Sequence, residues 1–160
     1  MDAESFQNVK NQIGFCGIWC GSCVVGNGAL REMTNRYAQM IKAYGVPEWG
    51  PREVDFGKFT SALASIQAMP LCKGCRKGDG KPNCEFRACV SSKGIEGCSD
   101  CDQPTNCKHM EALKKMREGA LRAGLNVKTD KVDSHKLIKK WTAKLMGKWP
   151  HLILFMSHED

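Results

Sequence analysis

The sequence predicts a small, mainly α single domain over residues 1–160, with about four to five helices, cysteine-rich metal-bound loops and little strand. Three observations carry this expectation. Apolar residues recur every three or four positions in four long stretches. A Gly or Pro stands at the end of each. Strict apolar–polar alternation, the mark of a half-buried strand, is scarce.

The elements follow in order. Residues 11–28 form an N-terminal cysteine loop containing FCGIWCGSC. Residues 29–69 form a helix pair. In the first helix Leu30, Met33, Tyr37, Met40, Ile41 and Tyr44 share a stripe, with Gly45 placed to end it and Pro47 to forbid continuation. The second runs from about Arg52 to Met69, with Phe56, Phe59, Leu63 and Ile66 on one face and Pro70 as its stop. Both stripes read as ordinary core. Residues 70–108 form a cysteine-rich segment of Gly, Pro, Asp, Asn and Ser with few large apolar side chains. A short helix fits between Asn83 and Lys93, closed by Gly94. Such a segment needs an ordering agent, and metal is the obvious one.

A basic helix pair occupies residues 105–149. Its first member, Thr105 to about Arg122, carries Met110, Leu113, Met116, Ala120 and Leu121. Its second, Asp130 to Lys148, carries Leu137, Ile138, Trp141, Leu145 and Trp149, with Lys136, Lys140 and Lys144 opposite and Pro150 as its end. Residues 150–160 form an apolar tail.

The formal charge is +7, and residues 108–148 alone hold 12 Lys/Arg against 4 Asp/Glu. The lysine stripe with Trp141 and Trp149 would suit nucleic acid. The tryptophans lie on the apolar side, however, and a solvated charged face accounts for the lysines. Nucleic acid is therefore not the favoured partner; an unspecified protein is. No apolar run approaches the roughly 18 residues of a membrane span. The N-terminus MDAESFQNVK has neither a basic nor an apolar signal region. A cytoplasmic chain with reduced thiols is expected.

Ten cysteines in 160 residues fall below the roughly 8–10% of small disulfide scaffolds. In a reducing compartment that count reads as metal binding. The candidate ligands are Cys16, Cys20, Cys23, Cys72, Cys75, Cys84, Cys89, Cys98, Cys101 and Cys107. Cys72-x2-Cys75 and Cys98-x2-Cys101 are knuckles 22 residues apart, slightly beyond the usual zinc spacing, and are expected to share one metal. Cys16, Cys20 and Cys23 would then need a fourth ligand from Cys84, Cys89 or Cys107. His109, two residues after Cys107, is the best nitrogen candidate. No catalytic constellation, P-loop or dinucleotide-binding glycine motif can be assembled, so a non-enzymatic role is favoured.

Cys16-x3-Cys20-x2-Cys23 also has the spacing of radical S-adenosylmethionine enzymes. Those enzymes use a partial β/α barrel, for which 160 mainly helical residues are too few. A broader likeness covers most of the chain. "CGIWCGSC", "CKGCR", "CEFRACVSSKGIEGCSDC" and "CKHMEAL" together resemble an uncharacterised prokaryotic family, domain of unknown function 3795. The motifs span Cys16 to Cys107, and beyond residue 110 only a basic helix pair is shared. The resemblance implies a cysteine-rich, metal-binding protein with all ten cysteines in one constellation, and no reaction. The favoured reading is a structural zinc domain with two ions. Zinc suits thiolates and carries no redox chemistry. An iron–sulfur or thiol redox protein and a metal handling or sensing protein are the alternatives.

Overall fold

The computed structural model describes residues 12–152. The residues before Gln12 and the tail beyond Leu152 lie outside it. Among the described residues six helices follow in order: α1 (Ala29–Ala43), α2 (Val46–Trp49), α3 (Phe56–Gln67), α4 (Glu85–Lys93), α5 (Met110–Arg122) and α6 (Ser134–Leu152). Three single 3-10 turns, Cys20–Ser22, Cys75–Lys77 and Cys98–Asp100, each start on a cysteine. Among the described residues there is no sheet. Two isolated bridges, Ile13 to Trp19 and Ile18 to Val127, supply the extended pairing seen among them. The mainly α expectation holds.

The N-terminal loop is the hub. Gly14 N–H donates to the Ile18 carbonyl at 2.8 Å and Gly17 N–H to the Gly14 carbonyl at 2.9 Å, so the chain folds back within five residues. Gly17 has φ +99°, and a Cβ there would collide with the Lys128 carbonyl. Only glycine meets both demands. The fold-back brings Ile13 and Trp19 into one core with Ile138, against which Trp141 and Leu145 of α6 pack. Trp19 is fully buried, and its ring lies 5.8 Å from that of Trp141. The expected packing role of Trp141 is thereby observed.

Asn27 leads from this loop into α1. Its Nδ2 donates to the Gly21 carbonyl at 3.0 Å, and its Oδ1 accepts from Ala29 N–H at 2.9 Å. That second bond satisfies one of the free amides at the helix start. α1 then packs on α3 through Tyr37 and Phe59, edge to face at 6.1 Å, with Ile41 and Leu63 buried. The core expectation for the α1 stripe holds only in part. Met33, Tyr37, Met40 and Tyr44 are exposed. Phe86 and Val90 of α4 and Leu113 of α5 are buried as well.

Several boundaries differ from expectation, among them the start of α3 at Phe56 and not Arg52. Gly45 (φ +58°) does close α1, but Pro47 then sits in the first turn of α2, where a missing N–H costs nothing. α5 begins at Met110, not Thr105, because residues 105–109 form the turn that positions Cys107. α6 begins at Ser134, after Asp133 Oδ1 accepts the Lys136 N–H at 2.9 Å. It also runs through Pro150 to Leu152, past the proline expected to end it.

Candidate metal centre

The first group of cysteines is assembled by one amide. Cys20 N–H donates to the Gln12 carbonyl at 3.0 Å. Gln12 Nε2 donates to the Lys73 carbonyl at 3.1 Å, and Gln12 Oε1 accepts the Arg76 N–H at 3.1 Å. The buried Gln12 side chain thus fills the Cys72–Cys75 knuckle and fastens it to the N-terminal loop. Gly74 makes this fit: φ is +87°, and any Cβ would strike the Gln12 amide. Asp79 Oδ2 closes the knuckle from outside by accepting the Lys73 N–H at 2.6 Å. Arg76 crosses to the other strand of the loop, with Nε donating to the Ile13 carbonyl at 2.6 Å and its guanidinium 4.6 Å from the Phe15 ring centre.

These contacts bring Cys16, Cys20, Cys72 and Cys75 into one neighbourhood. A Cβ on Gly14 would lie 3.1 Å from Cys75 Sγ and 3.7 Å from Cys16 Sγ, so the bare glycine leaves the space between the two sulfurs open. Burial, then the charges of Cys75, Cys72, Cys16 and Cys23, pushes the Cys20 thiol up to about 12. Burial also raises Cys16, aided by the charges of Cys75 and Cys84 and opposed by a hydrogen bond from the Ile18 backbone. Cys23 and Cys84 therefore stand at the margin of this first set.

The second set is Cys89, Cys98, Cys101 and Cys107. Cys89 lies within α4. Cys98 opens a 3-10 turn whose other end carries Cys101, and Cys107 precedes α5. All four line one cavity of ≈ 400 Å³. The turn is anchored twice. Cys98 N–H donates to the Phe15 carbonyl at 2.8 Å, and the buried Lys128 Nζ reaches Asp100 Oδ1 and Ser134 Oγ, each at 3.2 Å. Lys93, one helical turn after Cys89, donates from Nζ to Cys101 Sγ at 3.4 Å. Burial lifts the Cys98 thiol to about 11 against the lowering charge of Arg117. A hydrogen bond from the Gln103 backbone, then Lys93, lowers Cys101. Arg117 joins the two sets, since its Nε donates to the Cys16 carbonyl at 2.9 Å while its charge acts on Cys98.

All ten cysteines are free thiols of intermediate exposure. The structure does not pair the two expected knuckles: Cys72 and Cys75 face the N-terminal loop, while Cys98 and Cys101 face Cys89 and Cys107. Each knuckle has its own anchor in the loop: Gln12 holds the first and the Phe15 carbonyl the second. Of the three candidate partners for Cys16, Cys20 and Cys23, Cys84 is one whose charge acts on Cys16, while Cys89 and Cys107 line the second cavity with Cys98 and Cys101. His109 has its Nδ1 3.1 Å from Glu85 Oε2 and its ring edge-on to Phe86 at 6.0 Å. Among the described residues no three Cys, His, Asp or Glu side chains close on a single point as ion ligands. Sequence reasoning missed Gln12, Lys93 and Arg117. Only Lys93 left a hint, at i+4 from Cys89.

The family described as protein of unknown function, DUF3795, matches residues 12–112, a span holding every cysteine and Gln12. No curated protein and no solved structure matches the chain.

Proposed function

The chain belongs to the DUF3795 family, of unknown function, and on that premise we propose that it is a metal-binding protein whose cysteines serve as two adjacent ligand sets. The observation that carries this reading is the Gln12 clamp, which brings the Cys72–Cys75 knuckle onto the Cys16–Cys23 loop across more than 60 residues. A chain that only buried its thiols would have no need to gather them so.

The first set suits zinc in a structural role. It offers Cys16, Cys20 and the Cys72-x2-Cys75 knuckle, four thiolates, the number that a tetrahedral ion takes. The backbone is already drawn together, and each sulfur moves by rotation about its own χ1. A bound ion would tie the N-terminal loop to the segment that follows α3. It would also supply cohesion that Leu71, Phe86, Val90 and Ile95 cannot supply alone.

Metal analysis of the purified full-length protein tests this. Cys20→Ser should lower the metal content by about one ion per chain and leave the second set loaded. Unchanged stoichiometry would remove the first set from the account.

A further inference from the structure

We infer that the cavity lined by Cys89, Cys98, Cys101 and Cys107 is the binding site of a four-iron, four-sulfide cluster, held by those thiolates with Lys93 and Arg117 beside it. The inference rests on the metal-binding reading above and assigns the second set a different occupant from the first.

The shape of the site carries it. A single zinc ion with bonds of about 2.3 Å draws four sulfurs to one point. Here the four cysteines stand around a chamber of ≈ 400 Å³. A cubic cluster also takes four cysteine thiolates, but it spreads them around its own volume. The chamber wall includes Val90, Ile95 and Leu113, and an apolar wall limits water at the cluster.

Charge and hydrogen bonding point the same way. A cluster with four thiolates is anionic, and two cations line this chamber. Lys93 Nζ already donates to Cys101 Sγ at 3.4 Å. Arg117 also lines the chamber, and its charge acts on Cys98.

The test supplies the full-length, reduced protein anaerobically with a synthetic [4Fe–4S] cluster capped by four small thiolates. Each cysteine thiol gives its proton to a departing thiolate and takes its place on iron, so no electron is transferred. The expected product is brown and retains about four iron and four sulfide per chain after gel filtration. Cys101→Ser should lose most of that iron, and Cys20→Ser should keep it. Lys93→Gln, which retains the four thiolates, should keep the iron and shift the cluster potential to more negative values.

A colourless wild-type protein that takes up no iron, with zinc lost from the Cys101 variant, would overturn the cluster while leaving the metal-binding reading intact. Iron that depends on Cys20 and not on Cys101 would overturn the site. Protein that holds neither iron nor zinc would overturn both.

Discussion

Cys20 and Gln12 are joined at two levels: the Cys20 N–H donates to the Gln12 carbonyl at 3.0 Å, and the Cys20 thiol lies 3.8 Å from Gln12 Oε1. The same side chain holds the Lys73 carbonyl and the Arg76 N–H. One uncharged amide therefore sets the distance between a loop cysteine and a knuckle 52 residues or more away in the chain. A carboxylate could accept but not donate, and would bring a further negative charge among thiolates. Glutamine is the residue whose donor and acceptor match both knuckle groups.

Gln12→Ala should thus act on the first set without touching a cysteine. It leaves two knuckle backbone groups unpaired, at about 1–3 kcal/mol for each group left buried. Chelator competition on the variant should show weaker metal retention at the first set. Iron or zinc held by the second set should be unaffected, because that set hangs from Phe15 and Lys128. Equal loss from both sets would mean that Gln12 supports the fold generally and not one site.

Gly74→Ala should be at least as harmful, although the change adds one methyl group. The residue holds φ +87°, which costs a non-glycine residue on the order of 1–3 kcal/mol, and the new Cβ has the Gln12 amide in its way. Gly78, three residues after Cys75, also has positive φ but meets nothing within 4 Å. Gly78→Ala should therefore cost only the backbone strain. Thermal melts of the two variants should separate packing from strain, with Gly74→Ala melting lower.

The helices were legible in the sequence and the grouping of the cysteines was not. The stripes of α1 and α3 and the stops at Gly45, Gly94 and Gly124 follow local rules, in which spacing and φ decide the outcome. α6 runs past Pro150, where a local stop rule placed its end. The two knuckles look like partners because nothing in their spacing shows that Phe15 and Gln12 hold them apart. Gln12 left no signal, since an amide that bonds residues 61 and 64 positions away obeys no local pattern. The α1 stripe misled in the other direction: Tyr44 and Met33 are 73% and 43% exposed, so helical spacing of apolar residues alone overstated the core.

The hub itself should be the most sensitive apolar site. Trp19 is 0% exposed and joins the N-terminal loop to α6 through Trp141. Trp19→Ala should destabilise the protein by about 3–5 kcal/mol, read by denaturant unfolding. Trp49→Ala, on the exposed α2, should fall within about 0.5 kcal/mol of the parent.

The metal-free protein should lose stability in alkali. Folding raises the Cys20 thiol from 9.0 to about 12 and the Cys98 thiol from 9.0 to about 11. Above pH 9 the unfolded chain releases these protons while the folded chain retains them. The unfolded state is then favoured increasingly up to about pH 11 and 12, and no further beyond. Below pH 9 the two thiols contribute no slope. Denaturant midpoints of reduced, metal-free protein across this range should show the fall. Metal loading should reverse the trend at its onset, because the ligands bind as thiolates and loading releases protons.

Hydrogen exchange with and without a strong chelator tests the central claim, that metal holds the cysteine-bearing segments in place. After verified metal removal, residues 12–23 and 71–108 should lose protection first. The α1–α3 hairpin, whose packing through Tyr37 and Phe59 needs no cysteine, should keep much of its own. If residues 71–108 stay equally protected in the metal-free protein, metal does not hold this fold together, and the structural role proposed here is contradicted.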